Sequence, residues 1–283
     1  MPDNAWMAEL TGRTFLITGA NTGIGLATAR ALAARGGRVH VACRSPEKGH
    51  AAVAGIRETT GSDQVAFLQL DLADLSSVRA AARTFLALGE RLHVLINNAG
   101  VAGRRGLTKD GFELIFGVNH LGHFAFTAAL LENLTSNQAR IVNVASDAHL
   151  QASGIDFDRL RRPARTIAAT HEYAVSKLCN VVFTQELARR LAGTGVTAYA
   201  LHPGVVASDI WRRVPWPVRP LITRRMLSVD EGAKTSLYCA TAPELADVSG
   251  RYYEKCAERD PSAVATPELG ERLWEHSEGW VRA

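Results

Sequence analysis

Six short runs of this chain are apolar almost without interruption: Arg13–Thr18, Arg38–Ala42, Val65–Leu70, Val94–Asn97, Arg140–Val144 and Thr197–Leu201. A strand with one wet face alternates apolar and polar residues, whereas continuous apolar character implies that both faces are covered. Between the runs lie longer stretches with helical spacing, at Ile24–Ala34, Pro46–Glu58, Ser76–Ala87, Asp110–Leu134, Tyr173–Leu191 and Val229–Thr241. Strands alternating with helices, joined by right-handed crossovers, predict an α/β fold: a doubly wound parallel sheet flanked by helices on both faces.

No repeat or Pro/Gly/Ser linker divides the 283 residues, so one domain is expected. With 47% hydrophobic and 21% charged residues the composition excludes a disordered scaffold. The net charge is +4, and Val205–Arg225 alone carries Arg212, Arg213, Arg219, Arg224 and Arg225; a basic excess this local predicts no nucleic-acid partner. Cys43, Cys179, Cys239 and Cys256 lie far apart, which suggests neither a zinc site nor a disulfide framework. His120, His123, His149, His171 and His202 show no metal-ligand spacing, so no metal is expected. No stretch approaches the roughly 18–20 apolar residues of a spanning helix, and a cytoplasmic location is expected.

The first strand runs into Thr18, Gly19, Ala20, Asn21, Thr22, Gly23, Ile24 and Gly25, where a helical pattern begins at once. Glycines at a strand-to-helix turn let a pyrophosphate approach the amides of the helix N-terminus. The Lys-Ser/Thr ending of a nucleoside triphosphate loop is missing, so a dinucleotide is the expected ligand. A second-strand carboxylate would bind a ribose 2′-hydroxyl, but this chain has Cys43-Arg44 there, and a guanidinium suits a 2′-phosphate. NADP(H) is therefore favoured, with NAD(H) as the alternative. Asp71 and Leu72, after the third strand, are candidate adenine contacts; a helix N-cap is the other reading of Asp71.

Tyr173 and Lys177 open a long helical pattern, and their i,i+4 spacing puts phenol and ammonium on one face. A neighbouring ammonium is expected to lower the phenol pKa, turning a weak base into a useful one.

Together these motifs resemble the short-chain dehydrogenase/reductase family and its Rossmann-type fold. The matching residues are Gly19, Gly23 and Gly25, then Asn97-Asn98-Ala99-Gly100, Asn119, Ser146, Tyr173 and Lys177, and Pro203-Gly204, over about Thr11 to Glu254. The resemblance implies that Tyr173 exchanges a proton with the substrate oxygen, Lys177 binds the nicotinamide ribose, Ser146 polarises the carbonyl and Asn119 holds a water next to Lys177. It also implies cofactor contacts from Asn98, Ala99, Gly100, Pro203, Gly204, Val206 and Ser208. Other readings stay open: Asn97 and Asn98 as strand fasteners, Asn119 as satisfying backbone at a helix irregularity, Ser146 as a turn cap. Within the family, Asn119-His120-Leu121-Gly122-His123-Phe124, Ala42-Cys43-Arg44 and the 27-position gap from Ser146 to Tyr173 are similar to the retinol dehydrogenase-like branch.

The expected function is NADP(H)-dependent hydride transfer to or from a small lipophilic aldehyde, ketone or alcohol; the alternative is a dinucleotide-binding regulatory protein without turnover. Segment 205–228, with Trp211 and Trp216 among its prolines and arginines, is expected to form a substrate lid. The helices beginning near Asp110 and Tyr173 carry enough apolar residues to pack a second copy of the chain as well as the sheet.

Overall fold

The computed structural model describes residues 9–205 and 227–282. Most of the expected lid, with Val206 and Ser208, therefore lies outside the described residues. Eight strands form one sheet: β1 Thr14–Thr18, β2 Arg38–Cys43, β3 Val65–Gln69, β4 Val94–Asn97, β5 Arg140–Val144, β6 Thr197–His202, β7 Arg251–Glu254 and β8 Ala257–Arg259. Their order is β3-β2-β1-β4-β5-β6-β7-β8, with every pairing parallel except β7–β8. Building outward from β1 in both directions creates a change of winding between β1 and β4, where open α/β sheets bind ligands.

The helices are α1 Gly23–Ala33, α2 Pro46–Thr60, α3 Leu75–Leu86, α4 Leu114–Phe116, α5 Gly122–Ala129, α6 Leu131–Ser136, α7 Thr170–Arg190, α8 Val229–Thr241 and α9 Pro267–Arg282. Local chemistry sets several of their ends. Ser45 accepts from the Lys48 amide and Pro46 takes the first turn of α2, while Asp74 accepts from the Ser76 and Ser77 amides at the start of α3. Asp71 is thus not the α3 cap; its carboxylate accepts from the Ala73 amide instead. One core joins α1, α2 and α8 to the sheet, and another lies across it beneath α3, α5 and α7.

One expectation needs correction. The continuous helix expected over Asp110–Leu134 begins only at Leu114, and a π-helical turn, Gly117–Leu121, separates α4 from α5. Asp110 instead reaches back to accept from the Leu75 amide. Close packing accompanies the irregular turn, since a Cβ on Gly122 would meet the Leu72 carbonyl oxygen at 2.5 Å. The chain's own α9 packs on part of the apolar surface of α5 and α7: Trp274 lies edge-on against Phe124 at 5.0 Å, and Leu273 is buried in one cluster with Leu178 and Val182.

Candidate active site

The carboxyl ends of β1, β4, β5 and β6 meet at one edge, and hydrogen bonds tie their loops together. Thr18 Oγ1 accepts from the Asn98 and Ala99 amides at 3.0 and 2.9 Å. With both lone pairs used, its proton points to His123 Nε2, 2.8 Å away, so His123 Nδ1–H donates to the Asn119 carbonyl at 3.0 Å. The tautomer of a buried neutral imidazole thus follows from the count of donors. Asn98 Nδ2 also donates to the Thr18 carbonyl at 2.8 Å, which fixes the start of the glycine loop. Asn97 fastens strands, donating to Thr127 and to Asn143 of β5.

Gly19 has φ +66°, and a Cβ there would lie 2.8 Å from Ala99 Cα. A Cβ on Gly25 would meet the Asn98 amide nitrogen and, at 2.6 Å, the Gly19 carbonyl oxygen. Only glycine permits this tight arch over the N-terminus of α1, where Thr22 is the N-cap residue and the amides of Gly23, Ile24 and Gly25 lack intrahelical partners. Asn21 stands half-buried beside it. The arch fits a pyrophosphate. Arg44, exposed at the end of β2, makes no hydrogen bond or ion pair with another described residue. Leu72 is buried in the core, with Asp71 half-buried beside it.

Further along the edge, α7 presents Tyr173 and Lys177 on one face. Lys177 is 3% exposed; its Nζ donates to the Val144 carbonyl at 2.8 Å and lies 5.6 Å from the centre of the Tyr173 ring. Burial pulls the lysine down to about 8. The expected depression of the phenol is not found, because burial pushes Tyr173 upward more than the neighbouring Ser146 hydroxyl pulls it down, and the Asp147 charge adds to the rise. A Cβ on Gly100 would sit 3.4 Å from Asn119 Oδ1 and 3.7 Å from Lys177 Nζ, so this glycine keeps the space beside the lysine clear.

Asn119 sits in the π-helical turn with both amide protons used: Oδ1 accepts from the Val101 amide, and Nδ2 donates to the Val101 carbonyl and to Ser176. Ser146 caps the 3₁₀ turn Asp147–Gln151, accepting from the Ala148 amide at 3.2 Å, and its own hydroxyl donates to Asp147 Oδ1 at 3.0 Å. Pro203 and Gly204 follow β6, half-buried.

Sequence reasoning passed over Asp147 and treated His149 and His202 as ordinary polar residues. His149 is wholly buried; it accepts from the Ser262 amide through Nε2 and donates through Nδ1 to the Ser146 carbonyl at 2.6 Å. Direct succession to Ser146 was the available signal, since no periodicity marks these residues. Among the described residues no group of three or more His, Cys, Asp or Glu is placed to hold a metal, and no helix is long and apolar enough to cross a membrane.

Two histidines, His120 in the π-helical turn and His123 just after it, carry a stability prediction. His120 and His123 are buried and pushed down to about 3 and about 4, chiefly by desolvation. Below their ordinary value of 6.5 the unfolded chain binds protons that the folded chain refuses. Stability should therefore fall as pH drops from 6.5 toward 4, by about 1.4 kcal/mol per pH unit for each histidine. Urea unfolding across this window measures the slope, and His120→Gln should remove about half of the two-histidine contribution.

Comparisons with known proteins agree with this geometry. A family model described as short chain dehydrogenase matches residues 13–156. Mouse (Mus musculus) retinol dehydrogenase 12 is 48% identical over 274 residues, covering 94% of this chain and 85% of its own length. Dehydrogenase/reductase SDR family member 13 from Bos taurus is 46% identical over 281 residues, covering 96% and 74%. Among solved structures, an uncharacterized protein from Mycobacterium paratuberculosis superposes with a TM-score of 0.78 at 34% identity, over 98% of this chain and 96% of that one. A protein from Beutenbergia cavernae assigned as an NAD(P)-dependent gluconate 5-dehydrogenase, solved with bound NADP at low occupancy, gives 0.71 at 26% identity over 89% and 97%. With its glycine arch, its Ser146–Tyr173–Lys177 cluster and relatives of this kind, the chain belongs to the short chain dehydrogenase family of oxidoreductases and resembles its retinol dehydrogenase-like branch.

Proposed function

We propose that this protein, folded as one domain, transfers hydride between NADP(H) and the carbonyl or alcohol carbon of a lipophilic aldehyde, ketone or alcohol. The observation that carries the reading is the buried Lys177 ammonium 5.6 Å from the centre of the Tyr173 ring, with the Ser146 hydroxyl near enough to draw the phenol toward its charged form. The nicotinamide supplies or accepts the hydride when bound. Tyr173 gives the oxygen of the reduced substrate its proton, or takes it during oxidation; Ser146 orients that oxygen; the Lys177 ammonium stabilises phenolate character and offers donors to a ribose. The glycine arch with Asn21, Thr22, Gly23 and Ile24 receives the pyrophosphate, Asn98, Ala99 and Gly100 border the nicotinamide side, and Asp71 and Leu72 border the adenine. Val206 and Ser208 keep their expected roles as cofactor contacts after Pro203-Gly204. Asn119 holds the loop around Val101 in place beside Lys177.

A lipophilic substrate is favoured by three large apolar side chains left exposed on segments attached to the site. Leu150 (58% exposed) lies on the turn begun by Ser146, Ile167 (80%) on the approach to Tyr173, and Val205 (51%) just after Gly204. NADPH oxidation screened against short- and long-chain aldehydes, ketones and quinones tests the reading; turnover restricted to polar sugars would contradict it.

The cofactor preference rests on Arg44. NADP(H) is expected to bind more tightly than NAD(H), and Arg44→Ala should narrow that gap about tenfold or more, since a charge-assisted contact contributes about 1.5–3 kcal/mol. Calorimetric titration of both cofactors into both proteins measures it, and equal affinities in the unaltered protein would sink the assignment.

A further inference from the structure

At the amino edge of the sheet, opposite the catalytic one, a cavity of about 700 Å³ lies between the turn from α7 into β6 and the residues that precede β1, β5 and β7. Arg140, the first residue of β5, lines it and is 8% exposed. Of the five N–H donors on a guanidinium, one is spent here, on the Cys239 carbonyl at 3.2 Å. The remaining nitrogens are not sealed in the core; they open on the cavity. Arg13, just before β1, lines the same cavity half-buried, with no side-chain hydrogen bond to a described residue. Burial, and after it the charge of Arg140, pulls the Arg13 guanidinium below its usual value, as two like charges sharing a cavity require. No described carboxylate comes within ion-pair distance of either arginine. Glu186 of α7 is held by Arg189 and Arg190, and Glu90 by Arg38 and His40, while the exposed Asp247 borders the cavity without pairing. Ser249 Oγ accepts from the Ala198 amide at 2.9 Å, which leaves its proton for a ligand. The wall also includes the apolar side chains of Leu191, Val196 and Ala246.

We infer that this cavity binds an organic phosphate monoester, its dianion between Arg13 and Arg140 and its apolar body along Leu191 and Val196. A guanidinium fork bonds two phosphate oxygens at once, and a dianion neutralises both arginines where a single carboxylate would leave one charge over. The volume lies within the roughly 300–1,000 Å³ of small-molecule sites, which leaves room for more than the phosphate itself. Asp247, at the border, opposes an anion and so weakens the site without closing it. None of these residues stands at the carboxyl ends of the strands, so the inference is independent of the catalytic reading.

Hexyl phosphate is the probe, titrated by calorimetry into the full chain with NADPH saturating, so that the cofactor and not the probe fills the glycine arch and meets Arg44. Saturable binding is expected, about tenfold tighter than that of inorganic phosphate, the effect of burying about two methylenes. Arg13→Gln should weaken it about tenfold or more through the loss of a charge-assisted contact. The same variant should melt no earlier than the unaltered protein in phosphate-free buffer, because it removes a repulsion and no partner. Asp247→Asn, on an exposed residue that the fold does not need, should tighten binding about two- to fivefold. That second variant decides the matter even if Arg13→Gln folds poorly. Absence of binding, binding that NADPH abolishes, or an affinity indifferent to Asp247→Asn and to Arg13→Gln would overturn the site. Hexyl phosphate bound no more tightly than inorganic phosphate would overturn the assignment of an ester. Earlier melting of Arg13→Gln with binding intact would make that arginine a structural one and overturn its role in the site.

Discussion

Tyr173→Phe is expected to lower turnover about a thousandfold while cofactor affinity stays within about twofold of the unaltered protein, in line with the loss of one positioned acid–base group. The substitution deletes a single oxygen. The ring keeps its place among Val101, Ile115, Ala164 and Ala169, and the Lys177 ammonium keeps both the ring face and the Val144 carbonyl. What disappears is the proton-bearing atom. Single-turnover assays with NADPH beside fluorescence titration of the cofactor separate the two effects. Near-normal turnover would require another acid within reach of the substrate oxygen.

Gly25→Val is expected to cost about a hundredfold or more in cofactor affinity with the sheet intact. Its side chain would press on the Asn98 amide and on the Gly19 carbonyl oxygen, 2.6 Å from the new Cβ, and each belongs to a loop that frames the arch. Relief requires the arch to open, which moves the first amides of α1 away from the pyrophosphate. Losing two charge-assisted hydrogen bonds at about 1.5–3 kcal/mol each gives that factor. Calorimetry for binding and circular dichroism for fold check it. Tight binding by a folded Gly25→Val protein would place the pyrophosphate elsewhere.

The six uninterrupted apolar runs marked β1 to β6 in the sequence, because a strand covered on both faces has no polar alternation to hide it. β7 and β8 went unseen for the opposite reason. Arg251–Glu254 has only Tyr252 and Tyr253 between charged ends, and Ala257–Arg259 is exposed throughout as the antiparallel edge. The helix α9 did leave a signal: Pro267 in its first turn and Leu269, Leu273, Trp274, Trp280 and Val281 at helical spacing. It packs on apolar faces of α5 and α7 that the sequence had offered to a second copy. The π-helical turn left no mark in the apolar periodicity, but the open reading of Asn119 as satisfying backbone at a helix irregularity pointed to it, and its side chain grips the Val101 backbone across 18 residues of chain.

At the site, Tyr173, Lys177 and Ser146 were legible because their chemistry demands fixed residue types, and the structure brings them together. Asp147 and His149 were not, since their bearing on Ser146 comes from hydrogen-bond direction and burial rather than spacing. The sign of the Tyr173 shift was misjudged on similar grounds. A sequence reveals that an ammonium is close, but the rise caused by burial becomes visible only once the side chains are packed.

The central claim, hydride transfer to a lipophilic carbonyl at Tyr173, is tested most directly by isotope transfer. The protein is incubated with NADPH deuterated at its transferable hydride and with decanal, and the product is analysed by mass spectrometry. The account predicts decanol carrying one deuterium on the former carbonyl carbon, formed by the unaltered protein and about a thousandfold more slowly by Tyr173→Phe. Tight NADPH binding with no deuterated alcohol from decanal or any other aldehyde, ketone or quinone would contradict it and leave a dinucleotide-binding protein without turnover.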